Sequence, residues 1–147
     1  MKRVLLILIP AAMESLKKEV ILEESTSTVK FWKEKGKNIL FGELVDNAKL
    51  TLVHAKENSQ VRSKILDPAN PIPYVCNIKK INSATSEARE FLAKDVAGIS
   101  CAAFIVDNGM SRLIADYALL INRPLVPTKM FTSFDQAEYW VRNNGRY

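Results

Sequence analysis

Hydroxyl side chains cluster where a predicted strand passes into a helix, and these residues are the best suited to carry a phosphate. Ser83, Thr85 and Ser86 follow the lysine pair Lys79 and Lys80. A hydroxyl at a helix N-terminus accepts hydrogen bonds from backbone N–H groups, which contributes about 1 kcal/mol as a cap. The same N–H groups and the helix dipole would stabilise a phosphate on Ser86. The sequence leaves both interpretations open.

A second polar group follows the most apolar strand that the sequence predicts. Asp107, Asn108, Ser111 and Arg112 come directly after residues 101–106. Lys79 and Lys80, which follow the preceding buried strand, belong to the same candidate crevice for a ligand or partner. In open α/β sheets ligands bind beyond the carboxyl ends of parallel strands, and an anion there could lie at a helix N-terminus beside Arg112. The alternative is that the Asp-Asn-Gly sequence only forms a turn.

The C-terminal third of the chain contains the elements that would position this second group. Residues 101–106 predict a strand buried on both faces, and residues 127–131 predict a second strand. Between them Ser111 is a plausible N-cap of a helix that Arg123 and Pro124 would end. Six apolar residues of this helix recur at helical spacing and should face the core: Met110, Leu113, Ile114, Tyr117, Ala118 and Ile121.

Residues 133–136 have the sequence of a capping box and predict a last helix. Its inward residues would be Ala137, Trp140 and Val141. Strands and helices that alternate with short connections favour right-handed crossovers, and therefore parallel strands.

The preceding elements predict a hairpin at one side of this sheet. Residues 19–23 could form a short strand. Residues 28–33 and 38–44 should form a β-hairpin at the edge of the sheet, around a turn at Gly36.

The middle of the chain predicts one further helix and one βα unit. Thr51 caps a helix that runs to about Leu66, and a proline-rich loop separates it from residues 74–78, the next buried strand. The following helix should open near Ser83 and end near Gly98. The chain is thus predicted to be an α/β domain with four main helices. Its mixed sheet would combine the N-terminal β-hairpin with parallel strands from βα repeats.

The composition of the chain limits the classes of partner and cofactor that it is expected to bind. The 147 residues carry a net charge of +5, and the one lysine cluster flanks the turn at Gly36, so we expect no nucleic-acid binding. Cys76 and Cys101 both fall in predicted buried strands, which suits a reducing compartment and predicts a cytoplasmic location. Neither metal-ligand spacing nor a cofactor motif occurs, so neither is expected.

Residues 1–12 stand apart as a leader or an extra N-terminal segment, which leaves residues 13–147 as a single domain. Lys2 and Arg3 precede an apolar run, which is the layout of a short secretory signal. A start at Met13 and an extra edge strand are the alternatives.

The C-terminal motifs resemble a known family. Residues 111–124, 127–132 and 137–140 are similar to those of small bacterial STAS/SpoIIAA-like proteins without an assigned activity. The resemblance covers the chain from about residue 19 onward. It implies a mixed sheet surrounded by helices, the fold of anti-anti-sigma factors and of lipid-binding Sec14-type domains.

The resemblance also implies a role for one serine. In anti-anti-sigma factors the phosphorylated serine follows an aspartate and precedes a second serine and a glycine. Ser86 stands at the position of the switch serine, with Thr85 for the aspartate, Glu87 for the second serine and Ala88 for the glycine.

The function that the sequence predicts is a non-catalytic STAS-like module that docks on a protein partner as a regulator. The alternative is a small-molecule or lipid-binding domain of the same fold, and a homodimer is possible. His54 has no residues spaced to form a triad with it, and nothing in the sequence demands an enzyme. A long apolar cavity would favour ligand binding, whereas an exposed apolar patch would favour a protein partner.

Overall fold

The fold is built around one large mixed sheet. The computed structural model of the chain describes the backbone of residues 2–6 and all of residues 19–143. The strands of this part are β1 (Lys2–Leu6), β2 (Glu19–Ser25), β3 (Val29–Glu34), β4 (Leu40–Leu44), β5 (Ala48–Leu50), β6 (Ile72–Asn77), β7 (Ile81–Ala84), β8 (Ile99–Ile105) and β9 (Thr128–Phe131). The helices are α1 (Leu52–Ile65), α2 (Ser86–Lys94), α3 (Met110–Tyr117), which continues into one turn of π-helix (Ala118–Asn122), and α4 (Phe134–Arg142).

Seven strands form the main sheet in the order β1–β2–β3–β4–β6–β8–β9. Strands β1, β2, β3 and β4 pair antiparallel with one another, whereas the pairs β4–β6, β6–β8 and β8–β9 are parallel. The remaining strands, β5 and β7, form a short parallel pair of their own. The predicted α/β class is therefore confirmed, with its N-terminal antiparallel strands, its parallel βα strands and four helices.

The predicted edge position of the hairpin is wrong. The two hairpin strands, β3 and β4, lie inside the sheet, because β2 pairs with β3 and β1 pairs with β2. Beyond β1, the segment of residues 1–12 falls largely outside the described residues. The alternatives for this segment therefore remain predictions.

The predicted start of the second helix near Ser83 is also wrong. Backbone pairing with β5 holds residues 81–84 extended as β7, and the N–H of Thr85 donates to the carbonyl of Leu50 at 2.9 Å. The helix therefore begins only at Ser86, and it ends at Lys94 rather than near Gly98.

The main sheet has a core on each face. Helices α1, α2 and α3 cover one face, where the central strands contribute Leu40, Leu44, Tyr74, Cys76 and Val106. Helix α4 covers the other face, and the predicted inward residues Ala137, Trp140 and Val141 are buried there against Phe41, Val75 and Phe131. The capping box of α4 is confirmed in part, because the Ser133 hydroxyl accepts a hydrogen bond from the N–H of Gln136.

The two cysteines lie on the neighbouring strands β6 and β8, as expected. Both thiols are free and buried. Burial raises the pKa of the Cys76 thiol to about 11.

Helix α1 is attached to the sheet by buried polar side chains as well as by apolar ones. Ala55 is fully buried, and Asn58 and Arg62 are buried on the same helix. Asn58 exchanges hydrogen bonds with Thr28, at 3.1 and 3.3 Å, and accepts one from Thr26 at 2.6 Å. Arg62 forms an ion pair with Asp95, the C-cap residue of α2. These bonds satisfy groups that would be costly to bury unpaired.

Candidate functional site

The hydroxyl cluster lies at the N-terminus of α2, and its members have different roles. The Thr85 hydroxyl caps the helix by accepting a hydrogen bond from the N–H of Ala88 at 3.1 Å. The Ser86 hydroxyl is exposed and donates to the Glu87 carboxylate at 2.8 Å, which lowers the pKa of that carboxyl. Ser83 is exposed in β7. Ser86 is therefore accessible and is not needed as the cap.

The two lysines do not converge on this cluster. The Lys80 ammonium forms ion pairs with Asp46 at 3.4 Å and Glu43 at 4.0 Å. Lys79 is exposed and lies near Asp107, whose carboxylate it helps to stabilise.

Asp107 and Ser111 close the turn between β8 and α3. The Asp107 carboxylate accepts hydrogen bonds from the Ser111 hydroxyl at 2.7 Å and from the N–H of Gly109 at 2.9 Å, and these bonds lower the pKa of Asp107. The Ser111 hydroxyl in turn accepts from the N–H of Asp107. Ser111 is thus not the N-cap that the sequence predicts. Its fully buried hydroxyl is committed to the turn, and the N-cap position is occupied by Gly109, two residues earlier.

Arg112 lies apart from this turn. It lines an open groove at the ends of β9 and α4, whereas Asn108 is exposed. The crevice residues predicted from the sequence therefore divide between a closed turn and a separate groove. The other residues that line the groove are Lys129, Met130, Phe131, Thr132, Asp135, Gln136 and Tyr139.

A strip of apolar side chains on α3 and the π-helical turn is exposed. The sequence predicts that six apolar residues of this helix face the core, and this is wrong for Met110, Leu113, Tyr117 and Ile121, whereas Ile114 and Ala118 are partly buried. The exposed fractions are 50% for Met110, 52% for Leu113, 52% for Tyr117, 72% for Leu120 and 66% for Ile121, and Leu125 just beyond is 68% exposed. We call these six residues the α3 strip. They are six of the nine large apolar side chains that are most exposed in the described part of the chain.

The α3 strip is exposed because small residues make the contact with the sheet. Ser111 and Ala115 are buried, and Ile114 packs against the core from the margin of the contact. The apolar arc of the helix is wider than its buried part, so the larger side chains on its outer part remain in solvent. Hydrophobic periodicity alone cannot separate the two parts of that arc.

Arg89 joins the N-terminal half of α2 to the α3 strip. Its guanidinium donates to the carbonyl of Ala84 and lies 5.5 Å from the centre of the Tyr117 ring. Farther along, the N–H of Leu125 donates to the carbonyl of Ala93 at 3.0 Å. Helix α2 thus lies beside the α3 strip.

Beneath these helices, the core contains an apolar cavity of about 130 Å³. It lies between the main sheet and helices α1, α2 and α3. Small residues leave the space open, among them Ala102 on β8 and Ala115 and Ala118 on the opposite helix. Nothing in the sequence pattern predicts such a cavity, because it depends on how small residues from distant elements meet.

Two further findings concern metals and membranes. No group of three or more His, Cys, Asp or Glu residues in the described part of the chain could hold a metal ion. His54 accepts a hydrogen bond from the N–H of Thr51 at 3.1 Å and so helps to cap α1. Within the same described residues, no helix is both long enough and apolar enough to cross a membrane.

Comparison with known proteins gives the family and the fold. Residues 31–144 match the family described as "Domain of unknown function (DUF7793)". The chain belongs to this family. No curated protein matches the chain. Among solved structures, it is similar to an uncharacterized protein of the DUF3478 family from Shewanella loihica PV-4, which has a SpoIIAA-like fold.

The similarity to the Shewanella structure extends over 80% of this chain and 97% of that chain, with 15% sequence identity and a TM-score of 0.53. It confirms the SpoIIAA-like fold that the C-terminal motifs predict. The DUF7793 family matches the expectation of a family without an assigned activity.

Proposed function

We propose that this DUF7793 protein is a non-catalytic module that binds another protein through the α3 strip. The observation that carries the proposal is the concentration of exposed apolar side chains on one helix and the turn that follows it. Contiguous apolar surface of this kind is costly in water and marks interaction sites on soluble domains. The partner would present a complementary apolar surface that covers Leu120 and Ile121, which are among the most exposed members of the strip.

The chemistry-bearing side chains near the strip support a binding role rather than catalysis. Thr85 is engaged as a helix cap, and Asp107 and Ser111 are engaged in a turn. Ser86 remains exposed at the start of α2, the helix whose Arg89 contacts Tyr117 of the strip, and a phosphate on Ser86 would add nearly two charges to this helix end. Regulation through Ser86 is part of the proposal, as is a cytoplasmic location, which the two free cysteines support.

Site-specific photo-crosslinking in the native host tests the proposal. A photoreactive amino acid at Leu120 should give a crosslink to one partner protein. The matched control is Val53 on α1, whose side chain is 75% exposed and equally apolar but lies outside the strip. We expect the Leu120 crosslink to be absent or much weaker at Val53.

Three results would contradict the proposal. One is the absence of any crosslink at Leu120, and another is the same set of crosslinked proteins at both positions. The third is a crosslink at Leu120 that contains only a second copy of this chain, since the strip would then be a homodimer interface.

A further inference from the structure

One of the positively charged side chains that line the cavity has a hydrogen-bond donor without an acceptor. Arg89 lines the cavity, and its Nε atom is buried with no hydrogen-bond partner among the described residues. Buried donors are nearly always paired in native structures. The remainder of the guanidinium is held in place by the Ala84 carbonyl and the Tyr117 ring. The group is therefore fixed, and its buried Nε–H has no acceptor within the described residues.

The other lining arginine does not have this property. Arg62 is engaged by Asp95, and its guanidinium lies 5.9 Å from the centre of the Tyr74 ring. Apart from a few polar groups, the lining is aliphatic and aromatic, with Leu92, Phe104 and Ile114 among its members. The cavity is thus an apolar space whose wall contains one guanidinium N–H without an acceptor.

We propose that this cavity binds a small monocarboxylate whose apolar part is the size of one aromatic ring or a short branched chain. The carboxylate would accept from Arg89, because a guanidinium is the side chain best matched to that group. The apolar part would occupy the cavity among Ala102, Ala115 and Ala118.

Size and burial set the class of ligand. An engineered apolar cavity of about 150 Å³ holds benzene, whereas sites for drug-sized ligands measure roughly 300–1,000 Å³. The volume of about 130 Å³ therefore suits a single ring and not a membrane lipid. Arg89 as a whole is half-buried, but the Nε atom that would donate is buried, so the carboxylate would lose part of its hydration. The charge-assisted hydrogen bond to the guanidinium would have to offset this desolvation penalty. The inference does not depend on the proposed protein partner.

Thermal unfolding and calorimetric titration of the full chain test the proposal, with benzoate and isobutyrate as probes. Acetate at the same ionic strength is the control for the carboxylate alone, and toluene is the control for the apolar body alone. We expect benzoate or isobutyrate to raise the Tm in proportion to the logarithm of its concentration, as ligand linkage requires, and acetate to have no such effect.

Two pairs of variants locate the site. Arg89→Met should weaken binding of the carboxylate by at least about tenfold, as expected for the loss of a charge-assisted contact. Arg112→Met, which removes an arginine outside the cavity lining, should leave binding unchanged. Ala102→Val should fill the cavity and abolish binding, and Ala118→Leu is the second filling variant if the first does not fold.

Three results would overturn the proposal. They are the absence of a Tm shift with both carboxylates, equal binding by the Arg89→Met and Arg112→Met variants, and binding of toluene without binding of either carboxylate. Carboxylate binding that survives in a folded filling variant would also place the ligand outside the cavity.

Discussion

At the scale of single residues, neighbouring side chains of the same type have different roles. Thr85 and Ser86 are adjacent hydroxyls at the start of α2, but only Thr85 accepts a hydrogen bond from the helix backbone. The sequence predicts that a hydroxyl caps this helix but does not identify the capping residue, because its position depends on where strand β7 ends. The structure assigns that position to Thr85.

Substitution of the two hydroxyls by alanine should therefore have unequal effects. Thr85→Ala should lower the free energy of unfolding by about 1 kcal/mol, the usual value for a lost cap. Ser86→Ala should change it by less than about 0.5 kcal/mol, as expected at an exposed position. Chemical denaturation of both variants measures the difference. A larger loss for Ser86→Ala than for Thr85→Ala would show that the cap is wrongly assigned.

Gly42 on β4 is required by close packing rather than by backbone freedom. A Cβ atom at this position would lie 2.8 Å from the Tyr74 hydroxyl and 3.3 Å from the Cys76 sulfur. Gly42→Ala should destabilise the protein by roughly 1–3 kcal/mol, the range for overpacking a core.

The double variant tests the cause of that loss. Tyr74→Phe removes the hydroxyl that the new methyl group meets, so it should recover part of the stability lost by Gly42→Ala. Denaturant unfolding of the wild type, both single variants and the double variant measures the coupling. Strictly additive effects would mean that the hydroxyl is not what excludes a side chain at this position.

At the scale of elements, a charged group attaches α4 to the turn after β3. The Lys37 ammonium lies 3.1 Å from a carboxylate oxygen of Glu34 and 3.1 Å from one of Glu138. Glu34 is buried and also accepts a hydrogen bond from Trp32 at 2.9 Å. The sequence shows Lys37 only as part of a lysine cluster around Gly36, because its acidic partner on α4 is distant in sequence.

This ion pair predicts how stability depends on alkaline pH. Burial acts to lower the pKa of Lys37, but the hydrogen bonds and charges of Glu34 and Glu138 outweigh it and raise the pKa above 10.5. The folded state therefore holds the proton more tightly than the unfolded chain. The contribution of Lys37 is complete below pH 10.5 and is lost as the pH rises through its folded-state pKa.

A Lys37→Arg variant isolates this titration from that of other groups, because arginine stays charged throughout the range. The free energy of unfolding of the wild type should fall relative to that of the variant above pH 10.5. Denaturation at a series of alkaline pH values measures this difference. A constant difference across the range would contradict the assigned role of Lys37.

At the scale of the whole molecule, the sequence predicts the framework better than it predicts the surfaces. The apolar runs of β6 and β8 and the capping sequence of α4 are local signals, and the structure has these elements where they are expected. The α3 strip is local in sequence too, but its exposure depends on how much of the helix surface packs against the core. Periodicity identifies the apolar residues of a helix and not the share of them that the core can accept.

The cavity is a property of the whole molecule for the same reason. At about 24 cal/mol per Å³, an empty volume of about 130 Å³ costs roughly 3 kcal/mol, a large share of the stability of a small domain. Such a space arises where Ala102 of β8 faces Ala115 of α3 and Ala118 of the π-helical turn, and no local sequence pattern predicts that these residues meet.

The affinity for the partner that is crosslinked at Leu120 tests the central claim most directly. We expect Leu120→Glu to raise the Kd by at least about tenfold, which corresponds to about 1.4 kcal/mol, because a charge would be buried in an apolar interface. The matched variant Val53→Glu, on an exposed apolar residue of α1, should change the Kd by less than about twofold, within the usual effect of a surface substitution. Equal Kd values for the two variants, whether both raised or both unchanged, would contradict the α3 strip as the interface.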